Sequence, residues 1–158
     1  MARLIRGAAA LAVALVVATA AQPALAAKTV LNVGMAAIDA GRLDPHLSAT
    51  TPDKALFNWM FNGLVRMKQG TMNPDAALIE GDLAESWKSS PDGKQWTFSL
   101  RKGVQCHHGY GEFTADDVVY SLARSADPKR SAFSSDFKDF DKVEAVDKYT
   151  VRISLKNQ

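Results

Sequence analysis

Apolar and polar residues alternate most clearly between Asp82 and Leu122. There Trp96, Phe98 and Leu100 are interleaved with Thr97, Ser99 and Arg101, the period of two shown by a strand with one buried face and one wet face. Just before it, Ser90-Pro91-Asp92-Gly93 is a turn by chemistry. Pro91 pre-sets its own φ, Asp92 can bond its local backbone, and Gly93 tolerates a positive φ. A hairpin is predicted around that turn. Further on the period lengthens, and Val118, Val119, Leu122 and Ala126 form a helical stripe. Thr114 and Asp117 make a capping-box-like start to this helix, with Asp116 and Asp117 at the positive end of its dipole. Asp127-Pro128 stops it.

The flanks are read the same way. Val30 to Met35 is predicted to be a short strand, with Leu31, Val33 and Met35 on one face. Ala36 to Thr50 has no sustained period, and Pro45 keeps Asp44 extended, so a loop is expected. Thr51-Pro52 reads as a helix start with Thr51 as cap and Pro52 at the first helical position. The following Leu56, Trp59, Met60 and Gly63 then lie on a face assigned to the core. Leu64 to Lys68 is predicted to be a strand and Gln69-Gly70 its turn, while Thr71 to Asp82 is expected to be a loop anchored by Leu78 or Ile79. Lys129 to Phe140, with Phe133, Phe137 and Phe140, suggests a short helix or ordered loop. Val143 to Val146, an Asp147-Lys148 turn, and alternating Tyr149, Val151, Ile153 and Leu155 make a second hairpin. The fold class expected is α/β in the mixed α+β sense, a mixed sheet with hairpins and two main helices.

The amino terminus changes the charge balance. Arg3 and Arg6, the uncharged and mostly apolar run Gly7 to Ala21, and the small-x-small triplet Ala24-Leu25-Ala26 read as a secretory signal peptide over residues 1–26. Cleavage is expected between Ala26 and Ala27. The run is shorter than the roughly 20 apolar residues of a spanning helix, and no cysteine near the cleavage site offers a lipid anchor. Without Arg3 and Arg6, the 19 basic residues fall to the number of acidic ones, 17. That balance argues against nucleic acid as a partner. The single cysteine excludes an internal disulfide framework, and 47% hydrophobic content is enough to build a core.

Candidate chemistry is sparse. Cys106, His107 and His108 are metal-ligating types, but adjacent residues rarely close one coordination shell and His46 is the only other histidine. The alternative reading makes Cys106 a small apolar residue and the histidines hydrogen-bonding members of a loop. A Cys106-based nucleophilic site would need an orienting group and an oxyanion hole that the sequence does not identify. Gly109-Tyr110-Gly111 is too short for a nucleotide fingerprint and reads as a tight loop. No cofactor is expected.

Four separated blocks carry a family resemblance: Leu83-Ala84-Glu85-Ser86-Trp87; Ser90-Pro91-Asp92-Gly93-Lys94 with Trp96-Thr97-Phe98; Leu100-Arg101-Lys102-Gly103-Val104; and Phe113-Thr114-Ala115-Asp116-Asp117-Val118. In order and content they resemble the amino-terminal region of bacterial extracellular solute-binding proteins of family 5, the peptide, nickel and opine receptors of ABC importers. Family members often carry Phe-His-Asp-Gly where this chain has Cys106-His107-His108-Gly109, and the loop that follows is a residue longer here.

The resemblance implies the amino-terminal part of a two-lobe periplasmic-binding-protein fold. Residues 27–158 would hold the first strand of the main lobe and most of the accessory subdomain, as a truncated stretch of a longer protein. It implies a monomeric periplasmic receptor, not an enzyme, that closes on an oligopeptide or similar small solute and delivers it to ABC permease subunits in the inner membrane. The segment after the first strand borders the cleft in that family, which makes Met35, Ala36, Ala37, Ile38 and Asp39, with Ser48, Thr50 and Thr51, the candidate ligand contacts. A nickel or haem carrier of the same superfamily and a secreted thiol enzyme are the alternatives.

Overall fold

Turn chemistry and hairpin geometry agree at Ser90–Gly93. The computed structural model describes residues 30, 32–34, 41–70 and 75–157. In it β3 (Ala84–Ser89) and β4 (Gln95–Leu100) pair antiparallel, Trp87 opposite Phe98 and Ser89 opposite Trp96; β1 and β2 come earlier in the chain and are defined below. The Asp92 carboxylate accepts the Lys94 amide at 3.1 Å and the Ser90 hydroxyl, and Gly93 takes a φ of 67° that favours glycine. The second hairpin joins β5 (Phe140–Asp147) to β6 (Thr150–Leu155). Its turn lies one residue later than expected, at Lys148-Tyr149, because the Asp147 carboxylate accepts the Tyr149 amide at 2.8 Å. Strand β6 also pairs with β4, so the sheet runs β3-β4-β6-β5, antiparallel throughout.

Helix α2 (Ala115–Ala126) covers one face of this sheet. Both the amide and the hydroxyl of Thr114 donate to Asp117 Oδ2, at 2.8 and 3.1 Å. The helix thus begins where its cap predicts, and it ends at Asp127, ahead of Pro128. Ala115 and Val118 are buried against Ala84, Leu100, Val151 and Ile153, with Leu122, Phe113 and Phe140 packed around them. These side chains are the core of the described chain, and each fully buried aliphatic contributes about 1.5–3 kcal/mol.

Helix α1 (Thr51–Met60) departs from expectation twice. Its cap is Thr50 rather than Thr51, because the Asp53 amide donates to Thr50 Oγ1 at 3.4 Å; Pro52 still sits in the first turn, where its missing N–H costs nothing. The face assigned to the core is also not the buried one. Asp53 (3% exposed) and Phe57 (7%) point inward, whereas Trp59 (61%) and Met60 (47%) are exposed, as is Gly63, and Leu56 is half-buried. The rotation follows from Asp53, whose carboxylate accepts the Gly41 amide at 3.1 Å and the Ser48 hydroxyl and so turns its side of the helix toward loop 41–48.

One further expectation is corrected. The stretch read as a loop contains β2 (Ile79–Gly81), which pairs with β1 (Val65–Met67) to make a separate two-stranded sheet, with Met67 opposite Ile79. A 3₁₀ turn at Ala76–Leu78 leads into it, held by Asp75 Oδ1 accepting the Ala77 amide at 2.9 Å. Strands of this length are too short to show a period, and neither Leu78, half-buried, nor Ile79, exposed, is a buried anchor. The strand expected over Val30 to Met35 lies partly outside the described residues. Val30 and Asn32–Gly34 belong to no ladder among the described residues, and a strand exists only by pairing; Leu31 and Met35 lie outside the described residues.

Candidate functional site

Loop 41–48 is the irregular segment with the most side-chain bonds to a distant element. Asp44 precedes Pro45, which keeps it extended. Its Oδ1 accepts the His46 amide at 3.0 Å, closing a local turn that the Leu47 amide continues by donating to the Asp44 carbonyl at 3.1 Å. Arg124, in the last turn of α2, donates Nη1 to Asp44 Oδ1 at 3.0 Å and Nη2 to Oδ2, a two-pronged charge-assisted pair. The guanidinium holds the Asp44 carboxyl down at about 2, and Asp44 in turn raises Arg124. The same Nη1 lies 2.8 Å from His46 Nδ1, while Ser121 Oγ lies 3.4 Å from Nε2. The His46 carbonyl accepts the Ala132 amide at 2.7 Å. Beside this cluster opens a cavity of about 710 Å³ walled by Phe61, Phe133 and Phe137, with Asp136 at its edge.

Ser121 Oγ faces His46 Nε2, while His46 Nδ1 lies 2.8 Å from Arg124 Nη1 and 3.5 Å from Asp44 Oδ1. A guanidinium can only donate, so Arg124 is shared between the Asp44 carboxylate and the ring, and the cluster clamps the loop to α2.

The candidates named from sequence are placed as follows. Met35 to Asp39 lie outside the described residues, as do Ala26 and Ala27. Ser48 is buried with its hydroxyl on Asp53, Thr50 caps α1, and Thr51 is exposed in the first turn. Cys106 is half-buried, while His107 and His108 are exposed and meet edge to face at 6.5 Å. No group of three His, Cys, Asp or Glu side chains able to hold a metal occurs among the described residues. The loop is closed by the Cys106 amide donating to the Gly111 carbonyl at 2.8 Å, with Gly109 and Gly111 at φ values of 77° and 98°. Glu112 secures its base, accepting from Lys148 Nζ (2.8 Å), the Gly103 amide (2.7 Å) and Tyr149 Oη (3.0 Å); these bonds, Lys148 first, lower Glu112 to about 2. Sequence reasoning missed the clamp. Asp44-Pro45 is visible as extended loop, but nothing in one sequence ties Asp44 to a helix residue 80 positions away.

Comparison with known proteins places this arrangement. The profile of the bacterial extracellular solute-binding proteins, family 5 Middle, matches residues 79–158. Di/tripeptide-binding protein 1 of Pseudomonas aeruginosa strain UCBPP-PA14 is 35% identical over 130 residues, covering 71% of this chain and 23% of that protein. The binding protein MoaA of A. tumefaciens R10, solved with mannopinic acid, superposes with a TM-score of 0.70 at 52% identity, over 75% of this chain and 24% of that one. NikZ of Campylobacter jejuni, solved with Ni(L-His), gives a TM-score of 0.64 at 33% identity, over 74% and 22%. The chain spans about a quarter of the length of these relatives.

Proposed function

The chain belongs to the bacterial extracellular solute-binding proteins of family 5, and from that membership we propose that it is part of the substrate-binding component of an ABC importer. Its solute is an oligopeptide or a similar small molecule, taken up in the periplasm and handed to permease subunits in the inner membrane. A cleaved signal peptide over residues 1–26 delivers the protein there as a monomer without a lipid anchor. Among the described residues no helix is long and apolar enough to cross a membrane. Capture works by hinge closure, driven by the solute's higher affinity for the closed form, with no covalent step. The observation that carries this reading is the 52% identity, over 75% of the chain, to a binding protein solved with mannopinic acid.

Within this stretch the residues described above are framework. The sheet and α2 share one core, and the Asp44–Arg124 clamp ties loop 41–48 to the helix. Of the candidates, Met35 to Asp39 and the exposed Thr51 are the proposed solute contacts, while Ser48, buried with its hydroxyl on Asp53, and Thr50, capping α1, hold the loop and helix beside them.

A second reading narrows the solute to an opine, a sugar joined to an amino acid. It is favoured by the 52% identity to the mannopinic-acid receptor against 35% to the di/tripeptide-binding protein. Calorimetric titration of the intact gene product with di- to pentapeptides, mannopinic acid and nickel–histidine separates the readings. Saturable heat with peptides supports the first and with mannopinic acid alone the second; binding confined to nickel–histidine, or none, overturns both.

A further inference from the structure

An irregular segment has no ladder to hold it, so its position rests on the bonds that side chains make to it. Loop 41–48 draws those bonds from two helices. Asp53 of α1, buried at 3% exposure, accepts the Gly41 amide on Oδ1 at 3.1 Å and the Ser48 hydroxyl on Oδ2. One carboxylate thus joins the first and last residues of the loop and closes it as an Ω-loop. A Cβ at position 41 would lie 3.2 Å from Asp53 Oδ2, so the approach is one that glycine permits. Arg124 of α2 holds the middle, with Nη1 3.0 Å from Asp44 Oδ1 and 2.8 Å from His46 Nδ1. The Ala132 amide adds a third tether on the His46 carbonyl at 2.7 Å. No side chain of the loop joins the core around Leu100, Val118 and Val151. A buried carboxylate and a half-buried guanidinium, both costly to remove from water, are therefore committed to a segment that the core does not need.

We infer that Asp53 and Arg124 are positioning residues for the solute, setting the strength of its capture through loop 41–48 without touching it. The pinched ends of the loop adjoin the proposed contacts in the sequence, Asp39 standing two positions before Gly41 and Thr51 three after Ser48. The inference rests on the reading of those residues as solute contacts. Direct contact is disfavoured by what the two groups already do. Both Asp53 oxygens are occupied and the residue is buried, and Arg124 turns both prongs of its fork onto Asp44, which neutralises the charge that an anionic solute would seek. Because one anchor pinches the ends and the other holds the middle, loss of either frees the same segment, and the two act as a unit.

Calorimetric titration of the intact gene product with mannopinic acid and with di- to pentapeptides, run beside urea unfolding, tests it. Arg124→Gln and Asp53→Asn are each expected to weaken binding about tenfold, within the range that residues remote from a ligand exert. The double variant should lose less than the product of the two, since both act on one segment. Arg124→Lys keeps the charge but offers a point contact in place of a fork, and should lose only about threefold. Glu112→Gln is the comparison. Its carboxylate also holds a loop, through Gly103, Lys148 and Tyr149, so it should lower the urea midpoint comparably and leave affinity unchanged. Undiminished affinity in Arg124→Gln and Asp53→Asn overturns the inference while leaving the proposed function standing. An equal loss in Glu112→Gln also overturns it, because affinity would then follow stability alone. An unaltered protein that binds none of these probes overturns the functional reading itself, an outcome distinct from the other two.

Discussion

The sheet-and-α2 half of the molecule and the α1–β1–β2 half have similar apolar content in their helices and opposite fates for it. In α2, Val118 is buried and Leu122 is packed over the β4–β6 ladders. In α1, the inward side is a buried carboxylate and one phenylalanine, and the tryptophan and methionine face out. An apolar stripe specifies that a face will be covered, but what covers it must come from elsewhere.

Substitutions should split the two halves sharply. Leu100→Ala removes a buried side chain from β4 and is expected to cost about 2–5 kcal/mol in urea unfolding. A loss near zero would mean that this core does not carry the fold. Thr114→Ala deletes the cap of α2 and is expected to cost about 1 kcal/mol, with Thr114→Ser recovering most of it. Trp59→Ser, at a site 61% exposed, should change stability by less than about 0.5 kcal/mol, and a loss as large as that of Leu100→Ala would erase the contrast.

Acid provides a finer probe. Asp44 and Glu112 are lowered from 3.8 and 4.5 to about 2, so both carboxylates stabilise the fold fully above their unfolded values. That contribution is lost as the pH falls from about 5 toward 2. Asp44→Asn and Glu112→Gln should each flatten the acid limb of the stability profile. Arg124→Gln should do so for the Asp44 part alone, because it removes the cation and leaves Glu112 paired with Lys148.

What could be read in advance follows the range of each interaction. The Ser90–Gly93 turn, the Thr114 cap, the Asp127-Pro128 stop and both hairpins are set by residues within a few positions of one another. The family resemblance lay in the same blocks. Strand β1 was foreseen within Leu64 to Lys68, but its partner β2 escaped because a three-residue strand carries no period, and the orientation of α1 escaped because Asp53, an acid that looks like an ordinary first-turn residue, is buried by Gly41 and Ser48. Of the site, His46 was counted and Asp44 read as an extended loop residue, but their convergence on Arg124 is tertiary. The Cys106-His107-His108 run was conspicuous for composition, yet its histidines face solvent.

Strand β6, the last along the chain, lies between β4 and β5 rather than at an edge. A nascent polypeptide emerging from the ribosome therefore holds only the β3–β4 hairpin, itself marginal alone, until residue 155 is available to bridge the two halves. Late arrival of the central strand keeps the sheet incomplete throughout synthesis of everything before it.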